Sequence, residues 1–97
     1  MGQTIRVTTD PLLKDRHGAA GMVEYGTEKI TLQENTAATP VSRQALEQTY
    51  LHELIHYIFF LAESDTDDPP LHNRECLVDR VAGLLHQALK SYKGEIL

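Results

Sequence analysis

His52-Glu53-Leu54-Ile55-His56 sets two imidazoles four residues apart, with a carboxylate beside the first. Four residues along a helix turn through about 400° and rise roughly 6 Å, so both rings leave one face, one turn apart. In that relation two neutral ring nitrogens reach a single zinc ion. Glu53 lies about 100° round from His52, close enough to lean over a water at the ion without ligating it. The chemistry is hydrolysis: two histidines fix a Lewis acid, and a carboxylate takes the proton of the attacking water. With five His in 97 residues, an H-E-x-x-H pattern arises by chance in on the order of one per cent of such chains. A zinc site must therefore also supply a third donor and groups that hold its histidines.

Glu75 and Asp79, one helical turn apart, meet both needs. They lie in a second amphipathic stretch, residues 71–85, whose Leu71, Leu77/Val78, Val81/Ala82 and Leu84/Leu85 keep a helical stripe. Two carboxylates at this spacing repel by a few tenths of a kcal/mol on an isolated helix, and a divalent cation beside them reverses the sign. We read Glu75 as the third ligand and Asp79 as acceptor for the ring N–H of a ligating histidine. His72 and His17 compete with Glu75 for the third position. Without the first motif, the two carboxylates read as a solvated face paired with Arg74 and Arg80.

H-E-x-x-H on one helix and E-x-x-x-D on the next resembles the gluzincin metallopeptidases. The context, Tyr50-Leu51-His52-Glu53-Leu54-Ile55-His56-Tyr57 and then Val78-Asp79-Arg80-Val81-Ala82-Gly83, looks most like the compact minigluzincins and small phage and prophage proteins carrying that minimal domain. The resemblance covers roughly residues 30–90 and rests on five specific positions. It implies zinc on His52, His56 and Glu75, Glu53 as general base and acid, and Asp79 behind a ligand. Larger gluzincins steady the oxyanion with a His or Tyr from a C-terminal subdomain, for which this chain is expected to be too short.

The bulk properties suit one small soluble domain, residues 1–97. The apolar fraction is 41%, with no Trp, two Phe and four Tyr, so the core should be aliphatic. Nine Lys+Arg against 14 Asp+Glu leave a formal charge of −5, which argues against nucleic acid and polybasic membrane surfaces as partners. One cysteine, Cys76, excludes an internal disulfide framework and agrees with a cytoplasmic setting. Cys76 is expected to be a buried, inert thiol. Met1-Gly2-Gln3-Thr4-Ile5-Arg6 carries neither an apolar leader nor a myristoylation pattern, and no apolar run has spanning length.

Three strands are expected before the helices, at residues 4–8, 22–25 and 28–33, with Asp10-Pro11 as a break, a polar connection over residues 14–21 and a turn at Gly26-Thr27. Residues 36–40 form a linker, and Ser42 caps a helix running to about Ala62. That helix is apolar nearly all round over residues 54–61 and needs cover on more than one side. An acidic loop at residues 63–68 lacks the frame of a calcium site. Pro69-Pro70 starts the second helix, which fades near Tyr92 with Gly94 as a C-cap. His86 stands about 16 Å along the helix from Glu75, too far for the same ion. Tyr50 and Tyr57 read as core residues.

The fold class is α+β: a small twisted sheet of about three strands packed on two long helices, the metal site lying where the helices cross. The strand at residues 28–33 is the expected rim of the cleft. The function expected first is a zinc metallopeptidase acting on a peptide or protein substrate, with one Zn2+ per chain. The alternative is a zinc-stabilised binding or regulatory module with little or no turnover. A latent form, closed by residues 91–97 or by the partner in a homodimer, lies between the two.

Overall fold

The computed structural model describes residues 5–63 and 70–92. The elements run β1 (Arg6–Asp10), α1 (Leu13–His17), β2 (Gly21–Glu24), β3 (Lys29–Gln33), α2 (Arg43–Ala62), a 3-10 turn (Leu71–Asn73) and α3 (Glu75–Lys90). The fold is α+β: a three-stranded mixed sheet packs on α2, and α3 packs on α2 in turn. Among the described residues no helix is long and apolar enough to cross a membrane.

β3 is the central strand, between a parallel β1 and an antiparallel β2. Its alternation gives both faces a task. Ile30 is fully buried and Leu32 nearly so; across the ladder they meet Val23 and Gly21, on the face that packs against α2. On the opposite face Gln33, 1% exposed, ties α1 to the sheet. Its Oε1 accepts the Lys14 N–H at 2.7 Å, and its Nε2 donates to the Pro11 and Glu34 carbonyls at 2.8 and 2.9 Å. A buried amide with three partners costs little to desolvate.

The first strand lies two residues later than expected, because pairing with β3 sets it: Arg6 N–H donates to Glu28 and Glu34 N–H to Asp10. The polar connection contains a helix, α1. Buried Leu13 anchors it, and Gly18, left-handed at φ +66°, closes it by donating to Lys14. Ser42 caps α2 as expected, its hydroxyl accepting the Ala45 N–H at 3.1 Å.

α2 and α3 share a seam of Leu51, Ile55, Val78 and Ala82, flanked by Tyr50, Leu54, Phe59, Val81 and Leu85. Each large aliphatic chain so buried contributes roughly 1.5–3 kcal/mol, which holds the two helices at a defined register. The seam covers one side of α2 and β2 covers another, where Tyr57 is buried. Cover is less complete than the apolar run implies, since Ile58, Phe60 and Leu61 remain exposed. The acidic segment at residues 64–68, Pro69, Gly94 and the tail beyond Tyr92 lie outside the described residues.

Candidate metal centre

α2 presents His52 and His56 one turn apart, and α3 brings Glu75 to them in its first turn. The second helix does not start at the prolines. A 3-10 turn ends at Asn73, Arg74 departs from helical dihedrals (φ −87°, ψ 82°), and α3 begins at Glu75. That interruption frees the His72 carbonyl, which accepts a hydrogen bond from Nδ1 of His56. On the other ring, Nδ1 of His52 lies 2.8 Å from Oδ1 of Asp79.

These outer contacts fix both tautomers. A carbonyl only accepts, and so does an ionised carboxylate, so each Nδ1 carries the proton and each Nε2 presents a lone pair. The two Nε2 atoms face each other at 3.2 Å. Glu75 completes a triangle, with Oε1 3.3 Å from Nε2 of His52 and Oε2 3.0 Å from Nε2 of His56. Three acceptors aimed at one point repel unless a cation stands between them. A tetrahedral zinc ion with bonds of about 2.0–2.1 Å spaces its donors roughly 3.3–3.4 Å apart; the two Nε2 atoms are close to that spacing, and with one ligand atom from each residue the three lie within 4.8 Å of one another, a set whose chemistry fits such an ion. His52, His56 and Glu75 are the one group of this kind among the described residues.

Val23, Tyr25, Glu53, His56, Asn73 and Glu75 share a cleft beside the triangle. The rim strand is therefore β2. The expectation for residues 28–33 fails because β3 has a partner on each side, whereas the outer edge of β2 pairs with no described strand. Gly21 lets β2 approach α2: a Cβ there would stand 2.6 Å from Cγ2 of Thr49 and 3.2 Å from Cγ of Glu53. Burial pushes the Glu53 carboxyl above the usual carboxylate range, against the pull of His52 and His56 and with a further push from Glu75.

Comparison with models of protein families, with curated proteins and with solved structures finds no match to this chain.

The geometry of the site separates the competing third donors. His72 turns its Nδ1 to Glu63 at 2.7 Å and sets its ring edge-on to Tyr25 and Phe60. His17 sits with Lys29 and Thr31 on the sheet face turned away from α2. His86 is buried, with Nε2 3.2 Å from Oε1 of Glu47 across the helix pair. Tyr50 and Tyr57 pack as core residues. Cys76 is exposed, contrary to expectation: its neighbour along the helix, Glu75, faces α2 at the metal donors, while the buried stripe of α3 runs through Val78, Ala82 and His86.

Tyr25 was missed by sequence reasoning. It follows β2 directly, and its ring stacks on Phe60 with centroids 4.4 Å apart. Burial, then the Glu53, Glu63 and Glu75 carboxylates, push its hydroxyl up to about 12. The only sequence signal was an aromatic residue at a strand end.

Proposed function

We propose that this chain is a zinc-dependent peptidase of the gluzincin type, acting on a peptide or protein substrate in the cytoplasm. One observation carries the reading: the Nε2 atoms of His52 and His56 stand 3.2 Å apart, each with a Glu75 oxygen at 3.0–3.3 Å, and Glu53 lines the cleft beside them.

His52, His56 and Glu75 would hold the ion through Nε2, Nε2 and the carboxylate, and Asp79 and the His72 carbonyl keep the two rings aimed. When bound, zinc supplies a Lewis acid that polarises the scissile carbonyl and acidifies water. Three protein donors leave a tetrahedral position for chemistry, whereas structural zinc sites close all four. Glu53 takes the proton of the attacking water and passes it to the leaving amine. An extended peptide would pair with the outer edge of β2 through main-chain hydrogen bonds, which brings its carbonyl over the cleft. Mn, Co or Ni can occupy the same donors in vitro.

The test compares the zinc-loaded chain with Glu53→Gln on a mixed peptide pool, with cleavage read by mass spectrometry and zinc content measured on both. Cuts by the parent chain that vanish in the variant at equal zinc content support the peptidase. One zinc per chain with no cuts leaves a zinc-stabilised binding or regulatory module. No bound zinc removes both.

A further inference from the structure

We propose that the Tyr25 hydroxyl is the hydrogen-bond donor for the oxyanion formed when a peptide carbonyl is attacked in this cleft; the assignment rests on the peptidase reading above. Attack joins the water oxygen to the carbonyl carbon and moves the C=O π pair onto oxygen. Glu53 takes the water proton, and Tyr25 donates a hydrogen bond to the new charge while keeping its own proton. Collapse breaks the C–N bond, and the amine leaves with the proton from Glu53.

Five observations point to this residue. Tyr25 shares the cleft wall with Glu53, His56 and Glu75. Its ring is held from several sides: it stacks on Phe60 at 4.4 Å, lies parallel to Tyr57 within 7°, and takes the His72 ring edge-on at 5.1 Å. Donors fixed before the charge develops need no reorganisation during the reaction. Among the described residues, no hydrogen bond reaches the Tyr25 hydroxyl, so the donor is free to serve a ligand. Surrounded by carboxylates and partly buried, the phenol stays protonated at neutral pH. Tyr25 also adjoins the edge strand β2, so a peptide paired there passes beside it. Asn73, exposed on the 3-10 turn, is the other neutral donor on this wall.

Tyr25→Phe keeps the ring and removes the donor, and Asn73→Ala removes the competing donor of the same wall. Each zinc-loaded protein is titrated calorimetrically with an N-blocked phosphinic pseudo-tetrapeptide of alanines, a stable mimic of the tetrahedral oxyanion, and assayed on the mixed peptide pool. Expected for Tyr25→Phe are unchanged zinc content and unchanged near-ultraviolet dichroism from its remaining tyrosines, with mimic affinity and kcat each reduced roughly a hundredfold and KM little moved. Asn73→Ala should lose less mimic affinity than Tyr25→Phe. Parent-like mimic affinity in Tyr25→Phe overturns the assignment, as does loss confined to Asn73→Ala or a parent chain that does not bind the mimic. A parent that binds the mimic through Tyr25 but cleaves nothing upholds the donor and sinks the peptidase.

Discussion

Asp79 and His52 are joined across the two long helices, Oδ1 to Nδ1 at 2.8 Å, while Nε2 of the same ring turns to Glu75 at 3.3 Å. One imidazole thus bridges two carboxylates one turn apart on α3, and only Glu75 has a place among the candidate metal donors. The division follows from position. Glu75 opens α3 and meets both Nε2 atoms, whereas Asp79 reaches only the outer nitrogen of the nearer ring.

Asp79→Ala should weaken zinc binding by roughly 10–100-fold while leaving all three donors in place. Competition against a chromophoric chelator reads this directly. Parent-like affinity would show that His52 needs no outer acceptor.

Glu75→Ala should cost far more, since the remaining donors are two neutral nitrogens. Zinc should raise the midpoint of chemical denaturation of the parent chain, by mass action on the folded form, and leave that of the variant nearly unmoved. An unchanged zinc-dependent shift in Glu75→Ala would remove Glu75 from the donor set.

Glu63 makes two contacts to His72, to the backbone N–H at 3.2 Å and to Nδ1 at 2.7 Å, which hold the 3-10 turn whose carbonyl orients His56. Glu63→Ala should loosen zinc by roughly tenfold, the low end for outer contacts. The chelator competition that reports on Asp79 would return an unaltered constant if the turn is held by other means.

Gly21→Ala should destabilise the fold by roughly 1–3 kcal/mol, the usual cost of overpacking, because the new methyl meets Thr49 Cγ2 at 2.6 Å. Thr49→Ser removes that methyl, so the double variant should regain most of the loss. Additive losses in urea denaturation would place the strain elsewhere.

In the metal-free protein, the Tyr25 phenolate should appear at about pH 12, above the ordinary tyrosine value of 10.0. The folded form then holds a proton that the unfolded chain has released, so stability falls as pH rises from about 10 to about 12. Absorbance titration near 295 nm should lose its latest component in Tyr25→Phe, and denaturation across that pH window should show a shallower decline. Loss of the component near pH 10 instead would mean that Tyr25 ionises as an ordinary phenol.

The two long helices, the Ser42 cap and the strand alternation of β3 were legible in the sequence because each is a short-range pattern. Periodicity of 3.6 or 2 and a capping hydroxyl are written within a few residues of one another. The same holds for His52, Glu53 and His56, whose relation is set by one turn of helix. α1 was not legible, because a five-residue helix has too little periodicity to announce itself. Buried Leu13 and the Gln33 amide, 19 residues from the Lys14 N–H it accepts, hold it in place.

By itself the amino-acid order determined an α+β chain with an H-E-x-x-H helix and a carboxylate pair on a later one. Only the tertiary structure decided that Glu75, rather than His72 or His17, meets the histidines, that β2 forms the rim, and that Tyr25 stands beside Glu53. Those choices depend on strand order, on the Gly21 approach to α2 and on the helix seam through Ile55 and Val78. Such contacts join residues far apart in the chain, and no local periodicity encodes which distant partner completes them.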